Sequence, residues 1–183
     1  MRLLKYISID SGTDLTALYR SLKMEYPKFF KMDILSRLGL LGVEMLVKDE
    51  QGRFEPRKDR AVIMFSRSGS LVNDGNFQKT VQDFPSPALF VYTLPNIVTG
   101  EIAIRNKYAG ETSAYVTDGF DADRIFATVE EAFMDEETRS VICGWIDCPS
   151  EIGFEAVIWL VDRDGEGFDS EIIKKIYYGR TDQ

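Results

Sequence analysis

The 183-residue sequence contains no histidine. That absence removes the commonest general base, the commonest metal ligand and every Ser-His or Cys-His nucleophile pair. Cysteine is nearly missing too: Cys143 and Cys148 are the only two, with four residues between them. They lack the second ligand pair of a zinc site and sit in an apolar, strand-like segment, so they read as small buried hydrophobes with no metal attached. No run of about 18 apolar residues occurs, and the opening MRLLKYISID is broken by Asp10 before a signal peptide could form. A soluble cytoplasmic protein without a membrane partner is the expectation. Basic charge is outnumbered, 22 Lys and Arg against 30 Asp and Glu for a net charge of −8, which argues against nucleic acid as a partner. The imbalance is uneven: residues 1–70 carry +4 and residues 71–183 carry −12. The acidic part reads as a solvated surface.

What is present suits one core. At 44% hydrophobic, a chain of this length can fold as a single domain over 1–183 without disulfides. Residues 3–9 read as a short strand. Ser11 or Thr13 can cap a following helix carrying Leu15, Leu18 and Leu22, which Pro27 closes. From Met32 to Val47, apolar residues recur at three- and four-residue steps and predict a well-buried helix with Asp33 in its first turn. Residues 49–60 form a charged surface connection. Three apolar runs, Ala61–Phe65, Ser140–Ile146 and Phe154–Val161, have the character of strands covered on both faces. Asp121–Met134 reads as a helix with Ile125, Val129, Ala132 and Phe133 turned inward. Strands alternating with helices indicate a layered α/β domain on a largely parallel sheet.

The stretch from Phe84 to Gly119 is the centre of this pattern. Pro85 and Pro87 block a regular start, and Pro95 stands at the mouth of a helix reaching about Lys107, with Ile97, Val98, Ile102, Ala103 and Ile104 as its apolar face. Gly110 ends that excursion. Thr112–Thr117 is β-branched and aromatic enough for a strand, and Asp118-Gly119 turns it into the next helix. A strand turning into a helix N-terminus is where enzymes often hold a nucleophile, because the helix dipole acidifies a thiol placed there. Here the position holds glycine.

Other motifs are ordinary. Asp162-Arg-Asp164-Gly-Glu166-Gly167 has oxygens at alternate positions, but the twelfth position of a calcium loop would be Ile173 and a strand precedes it, so it reads as a polar turn. Ser66-Arg-Ser68-Gly69-Ser70 lacks the glycine-lysine pair of a phosphate loop and reads as a strand-to-helix connection. Asn96 stands where it can cap a helix.

The segment LPNIVTGEIAIRNKYAG followed by ETSAYVT resembles the β-ketoacyl synthases of fatty-acid and polyketide assembly, in which a Pro-Asn pair opens a helix of this pattern and a strand then leads to the cysteine turn. KMDILSRLGLLGVEML, AVIMFSRSG, SVICGWID and FEAVIWLV are similar to further family segments in family order, and together they span about two-thirds of the chain. The resemblance implies the amino-terminal half of a thiolase-like fold, with layered helices on a mixed, mostly parallel five-stranded sheet. It also sets Gly119 at the nucleophile position, flanked by Asp118 and Phe120. The chain stops near where the family's second half, with its catalytic histidines, would begin.

The expected function follows from that vacancy. A decarboxylating condensation needs a thiolate to carry the acyl chain, and glycine supplies none. The resemblance implies a non-catalytic ketosynthase-like subunit of fatty-acid or polyketide biosynthesis, the aryl-polyene type included, with no cofactor or metal. It would pair with itself or with an active ketosynthase-like protein. Thr112, Ser113, Ala114, Tyr115 and Val116 are the interface candidates, because dimers of the family join through edge strands. Asn96 and Thr117 are scaffold or substrate candidates. A second reading is a module that binds an acyl chain or an acyl carrier protein, motivated by the +4 balance of residues 1–70. A third is residual acyl transfer through Ser113, Thr117 or Cys143.

Overall fold

A computed structural model describes residues 1–179. Five strands, β1 (Arg2–Asp10), β2 (Arg60–Ser66), β3 (Thr112–Val116), β4 (Ser140–Asp147) and β5 (Glu155–Asp162), form one sheet in the order β1-β5-β4-β2-β3. β2 pairs in parallel with both β3 and β4, while β5 runs antiparallel to β4 and to β1. Four strands therefore share one direction and β5 alone opposes them, the mixed, mostly parallel five-stranded sheet expected. β2 and β4 are buried along their whole length, as continuous apolar runs require of central strands.

Among the described residues there are seven helices: α1 (Leu15–Ser21), α2 (Ile34–Val47), α3 (Leu71–Thr80), α4 (Pro87–Val91), α5 (Ile97–Asn106), α6 (Ala122–Ala132) and α7 (Ser170–Gly179). One face of the sheet, through Ile7, Met64, Ile142 and Ile158, packs on α2 and α5; the other, through Ile63, Phe65, Val141 and Trp159, packs on α6 and α7. The period-two alternation within each strand supplies both cores at once. Asp33 caps α2 by accepting from Ser36 N at 3.1 Å. Ile125, Val129, Ala132 and Phe133 of the α6 segment are buried as their spacing predicts.

Several details differ from expectation. The cap of α1 is Asp14, which accepts from Thr16 N (2.8 Å) and Ala17 N (3.0 Å), and neither Ser11 nor Thr13 takes that role. α1 ends at Ser21, and Pro27 instead opens a 3-10 stretch, Pro27–Lys31. Pro87 does not prevent a helix; it occupies the first turn of the short α4, where a missing N–H costs nothing. Ile104 was expected in the buried face of α5 but is 66% exposed. α5 packs through Val98, Thr99 and Ile102, and Ile104 lies about 120° round the helix from Val98 and about 160° from Ile102, off that face. α7 was not anticipated. The segment 162–167 is the polar turn expected, with Asp164 N donating to Asp162 Oδ1 at 2.9 Å.

Candidate functional site

The carboxyl ends of the parallel strands gather the candidate residues. β3 hands over to α6 through Thr117, Asp118, Gly119 and Phe120. Thr117 N donates to Ser66 O (2.9 Å), tying the strand end to β2, and Thr117 Oγ1 donates to Gly119 O (3.0 Å), folding the turn back on itself. Asp121 caps α6 by accepting from Arg124 N at 3.0 Å. Phe120 is clamped from the opposite side: its ring stacks on Tyr177 of α7 at 3.6 Å between centroids and meets Trp145 of β4 edge-on at 5.9 Å. Both partners are anchored to Glu155 Oε1, Trp145 through Nε1 (2.7 Å) and Tyr177 through its hydroxyl (2.9 Å).

Above this turn is an open cavity of about 500 Å³, lined by residues 117–124 together with Lys174 and Tyr178. Thr117, Asp118, Gly119 and Phe120 all line this one cavity. Lys174 bridges Asp123 (3.3 Å) and Glu171 (3.0 Å), and hydrogen bonds with Ser170 and Lys174 hold the Asp123 carboxyl below its usual range. A Cβ added at Gly119 would meet nothing within 4 Å, and Gly119 is not among the residues with positive φ. Neither backbone conformation nor crowding demands glycine there. Among its lining residues the cavity offers carboxylates, two cations and aromatic rings, but no thiol or imidazole.

Asn96 does not join this group. It stands at the start of α5, exposed, and its side chain makes no capping bond; only its carbonyl is used, by Thr99 Oγ1 (2.9 Å) and Gly100 N (3.3 Å). Its φ of −77° and ψ of −8° are already helical, which turns the amide away from the N–H groups a cap must reach. Ser113 is a half-buried residue of β3 that donates to Glu111 Oε1 at 2.7 Å. Cys143 lies fully buried within β4, away from the cavity above Gly119, and burial pushes its thiol pKa well up, which disfavours the thiolate an acyl acceptor would need. Cys148 is buried likewise, its thiol raised by burial and by nearby carboxylates.

The residues 112–116 form β3, which pairs with β2 on one side and lies at the end of the sheet. Because Thr117 N bonds inward to β2, the alternation of a parallel ladder directs the N–H groups of Ala114 and Val116 to the open edge. Exposed Val116 stands close to Pro95 across Gly69: a Cβ at Gly69 would lie 3.3 Å from Val116 Cγ2 and 3.5 Å from Pro95 Cβ.

Two features were not legible in sequence. The apolar spacing of Ile172, Ile173, Ile176 and Tyr177 marks α7 as a helix, but nothing local says that it returns over the turn after β3. Asp147, at the end of β4, accepts from Ser66 Oγ (3.0 Å), Arg67 N (3.0 Å) and Ser68 N (2.7 Å). The loop after β2 is thus a strand-to-helix connection whose N–H groups are already taken by the protein's own carboxylate.

This fold, a mixed five-stranded sheet in the order β1-β5-β4-β2-β3 with β5 reversed, is similar to that of solved ketosynthase structures. Among solved structures, the chain is similar to a ketosynthase in complex with its chain length factor from Xenorhabdus doucetiae, at TM-score 0.64 and 17% identity over 90% of this chain and 79% of that one. It is similar to the ishigamide ketosynthase/chain length factor at TM-score 0.68 and 16% identity, covering 86% of this chain and 50% of that one. A type II polyketide synthase acyl-carrier protein in complex with its ketosynthase matches at TM-score 0.60 and 13% identity, over 88% of this chain and 62% of the other. The chain therefore spans about half of the ishigamide protein's length and under two-thirds of the last. At these identities the likeness is one of fold. No protein-family model and no curated protein matches the chain.

Proposed function

We propose that this protein is a non-catalytic ketosynthase-like subunit of polyketide or fatty-acid biosynthesis that acts by pairing with itself or with an active synthase. The observation that carries the reading is Gly119: on a ketosynthase-like fold, at the strand-to-helix turn, an unhindered position facing a cavity holds no side chain. Pairing is supported by the open edge of β3 and by Val116, an exposed apolar residue of that strand. The structural likeness to ketosynthases solved with chain length factors points the same way. Size-exclusion chromatography with light scattering, and pull-down with a cysteine-bearing synthase as bait, test it. A dimer or a stoichiometric complex is expected; a strict monomer that captures no synthase overturns the reading.

A second reading, docking of an acidic acyl carrier protein, is favoured by one surface. Arg20, Lys23, Lys28 and Lys31 fall close together in sequence along α1 and the 3-10 stretch beside Phe30, which is 50% exposed; Lys28 pairs with Glu101 at 2.6 Å, and Glu25 and Asp33 are the acids within and next to the run. Such a patch on a chain of net charge −8 steers an acidic partner. Binding to a carrier protein that weakens with salt and with Lys31→Glu supports this reading, and salt-independent or absent binding removes it.

A further inference from the structure

A second cavity, of about 310 Å³, lies between the N-terminus of α2, the helices α3 and α4, and the β4–β5 loop, with no lining residue in common with the one above Gly119. Its place follows from topology. β2 leads outward to β3, and the chain then returns past β2 to β4, so the crevice at the carboxyl ends of β2 and β4 is the switch point where α/β sheets commonly hold ligands. Asp147 fills the middle of that crevice by gripping residues 66–68. The cavity opens beside it, walled by the segments that follow each strand: Val72, Asn73 and Asn76 after β2, and Glu151 after β4.

The lining has two characters. Met32, Ile34, Val72 and Leu89 make an apolar wall, and Asp33, Asn73 and Glu151 bring acceptors to it. Asn73 is only 6% exposed; its Nδ2 donates to Leu89 O at 2.8 Å, and its Oδ1 has no partner among the described residues. Asp33 accepts from Ser36 N, and burial raises its pKa against the hydrogen bonds that lower it. Glu151 takes Asn76 Nδ2 at 3.0 Å. The cation lining the cavity is Arg37, and its Nε and Nη2 already donate to Phe29 O (3.1 Å) and Phe30 O (2.9 Å). Arg37 keeps its charge, yet with Asp33 and Glu151 ionised the lining still carries a net negative charge, and an anion would also face the Asn73 amide oxygen. Asp33 and Glu151 each already accept a bond and keep further lone pairs, Asn73 Oδ1 has none among the described residues, and a neutral apolar molecule would add a donor to none of them. A protonated amine with an apolar body supplies the missing donors and covers the wall.

We propose that this cavity binds a small protonated amine bearing a compact apolar group, its ammonium meeting Asp33, Glu151 and Asn73 Oδ1 and its apolar part lying on Met32, Ile34, Val72 and Leu89. The assignment rests on the cavity alone and stands apart from the pairing role. The test is a titration of the whole chain, followed by amide chemical shifts, with phenethylamine and hexylamine against two isosteric controls, 2-phenylethanol and 3-phenylpropionate. Saturable shifts at cavity residues are expected for both amines, with affinity at least about tenfold above either control. Asp33→Asn, which retains a capping side chain for α2, and Asn73→Ala each weaken that binding. Val72→Trp fills the cavity from a partly exposed position on α3 and abolishes it with the melting temperature preserved, so the answer does not depend on whether Asn73→Ala folds. Equal binding of amines and controls, no binding by any probe, or shifts centred on residues 117–124 overturns the proposal.

Discussion

Gly119 carries its meaning through what surrounds it. Glycine is usually kept where φ is positive or where a Cβ would collide, and neither applies at this turn. Gly119→Cys is therefore expected to change stability by no more than about 0.5 kcal/mol in urea unfolding. Its thiol, facing the open cavity, should react with a disulfide reagent in the native state. The unmodified protein should not react, because Cys143 and Cys148 are both buried with raised thiol pKa values. A native reaction of the original chain, or an inert Gly119→Cys variant, would show that the turn is not the open position described. Asp147 is the opposite kind of residue, indispensable and unsignalled. Its removal strands the Ser66 hydroxyl and the N–H groups of Arg67 and Ser68. Asp147→Ala should cost about 2–4 kcal/mol, measured as a fall in the urea midpoint, and a loss below about 1 kcal/mol would mean that water replaces the carboxylate.

Among the elements, β3 is the one whose exposure has consequences. An edge strand presents unpaired N–H and C=O groups, and β3 adds Val116 at 57% exposure with no lysine or proline within it to discourage pairing. Val116→Lys puts a charge on that edge without touching the β2 ladder. It should leave unfolding within about 0.5 kcal/mol of the original and shift any dimer toward monomer in light scattering. A dimer that persists unchanged places the interface elsewhere. The strands themselves were legible because each is a compact apolar or β-branched run, and α2 and α6 because their apolar spacing is helical. What escaped was long-range. The polar residue Asp147 is unremarkable until β2 and β4 lie side by side, and α7 acquires a role only when Tyr177 reaches Phe120 across 57 positions of sequence. Local reading failed at Asn96 and Ile104 for a related reason: a cap depends on backbone angle and a helix face on what packs against it, and neither is written in residue type.

For the whole molecule, the lack of histidine shapes the pH dependence of stability. With no side chain whose ordinary pKa falls near neutrality, stability should be nearly flat between about pH 7 and 8. Above that the sign is fixed by the buried thiols. Cys143 is held protonated by burial, and Cys148 by burial together with Asp33, Asp147 and Glu155, so both folded pKa values lie above the unfolded one. The unfolded chain begins to lose these protons at about pH 8.5, while the native state retains them. Stability is thus fully present below that value and declines above it, by about 1.4 kcal/mol per thiol for each further pH unit. Tyr92, raised by burial and by Glu101, and Tyr108, raised by burial, steepen the decline above about pH 10, where unfolded tyrosines ionise. Urea midpoints from pH 7 to 10 measure the curve. Replacing both cysteines with alanine should lower the starting stability, through lost packing, yet flatten the slope between pH 9 and 10. A slope unchanged by the double replacement would mean that these thiols remain accessible to hydroxide in the native state, contrary to their burial on the two faces of the sheet.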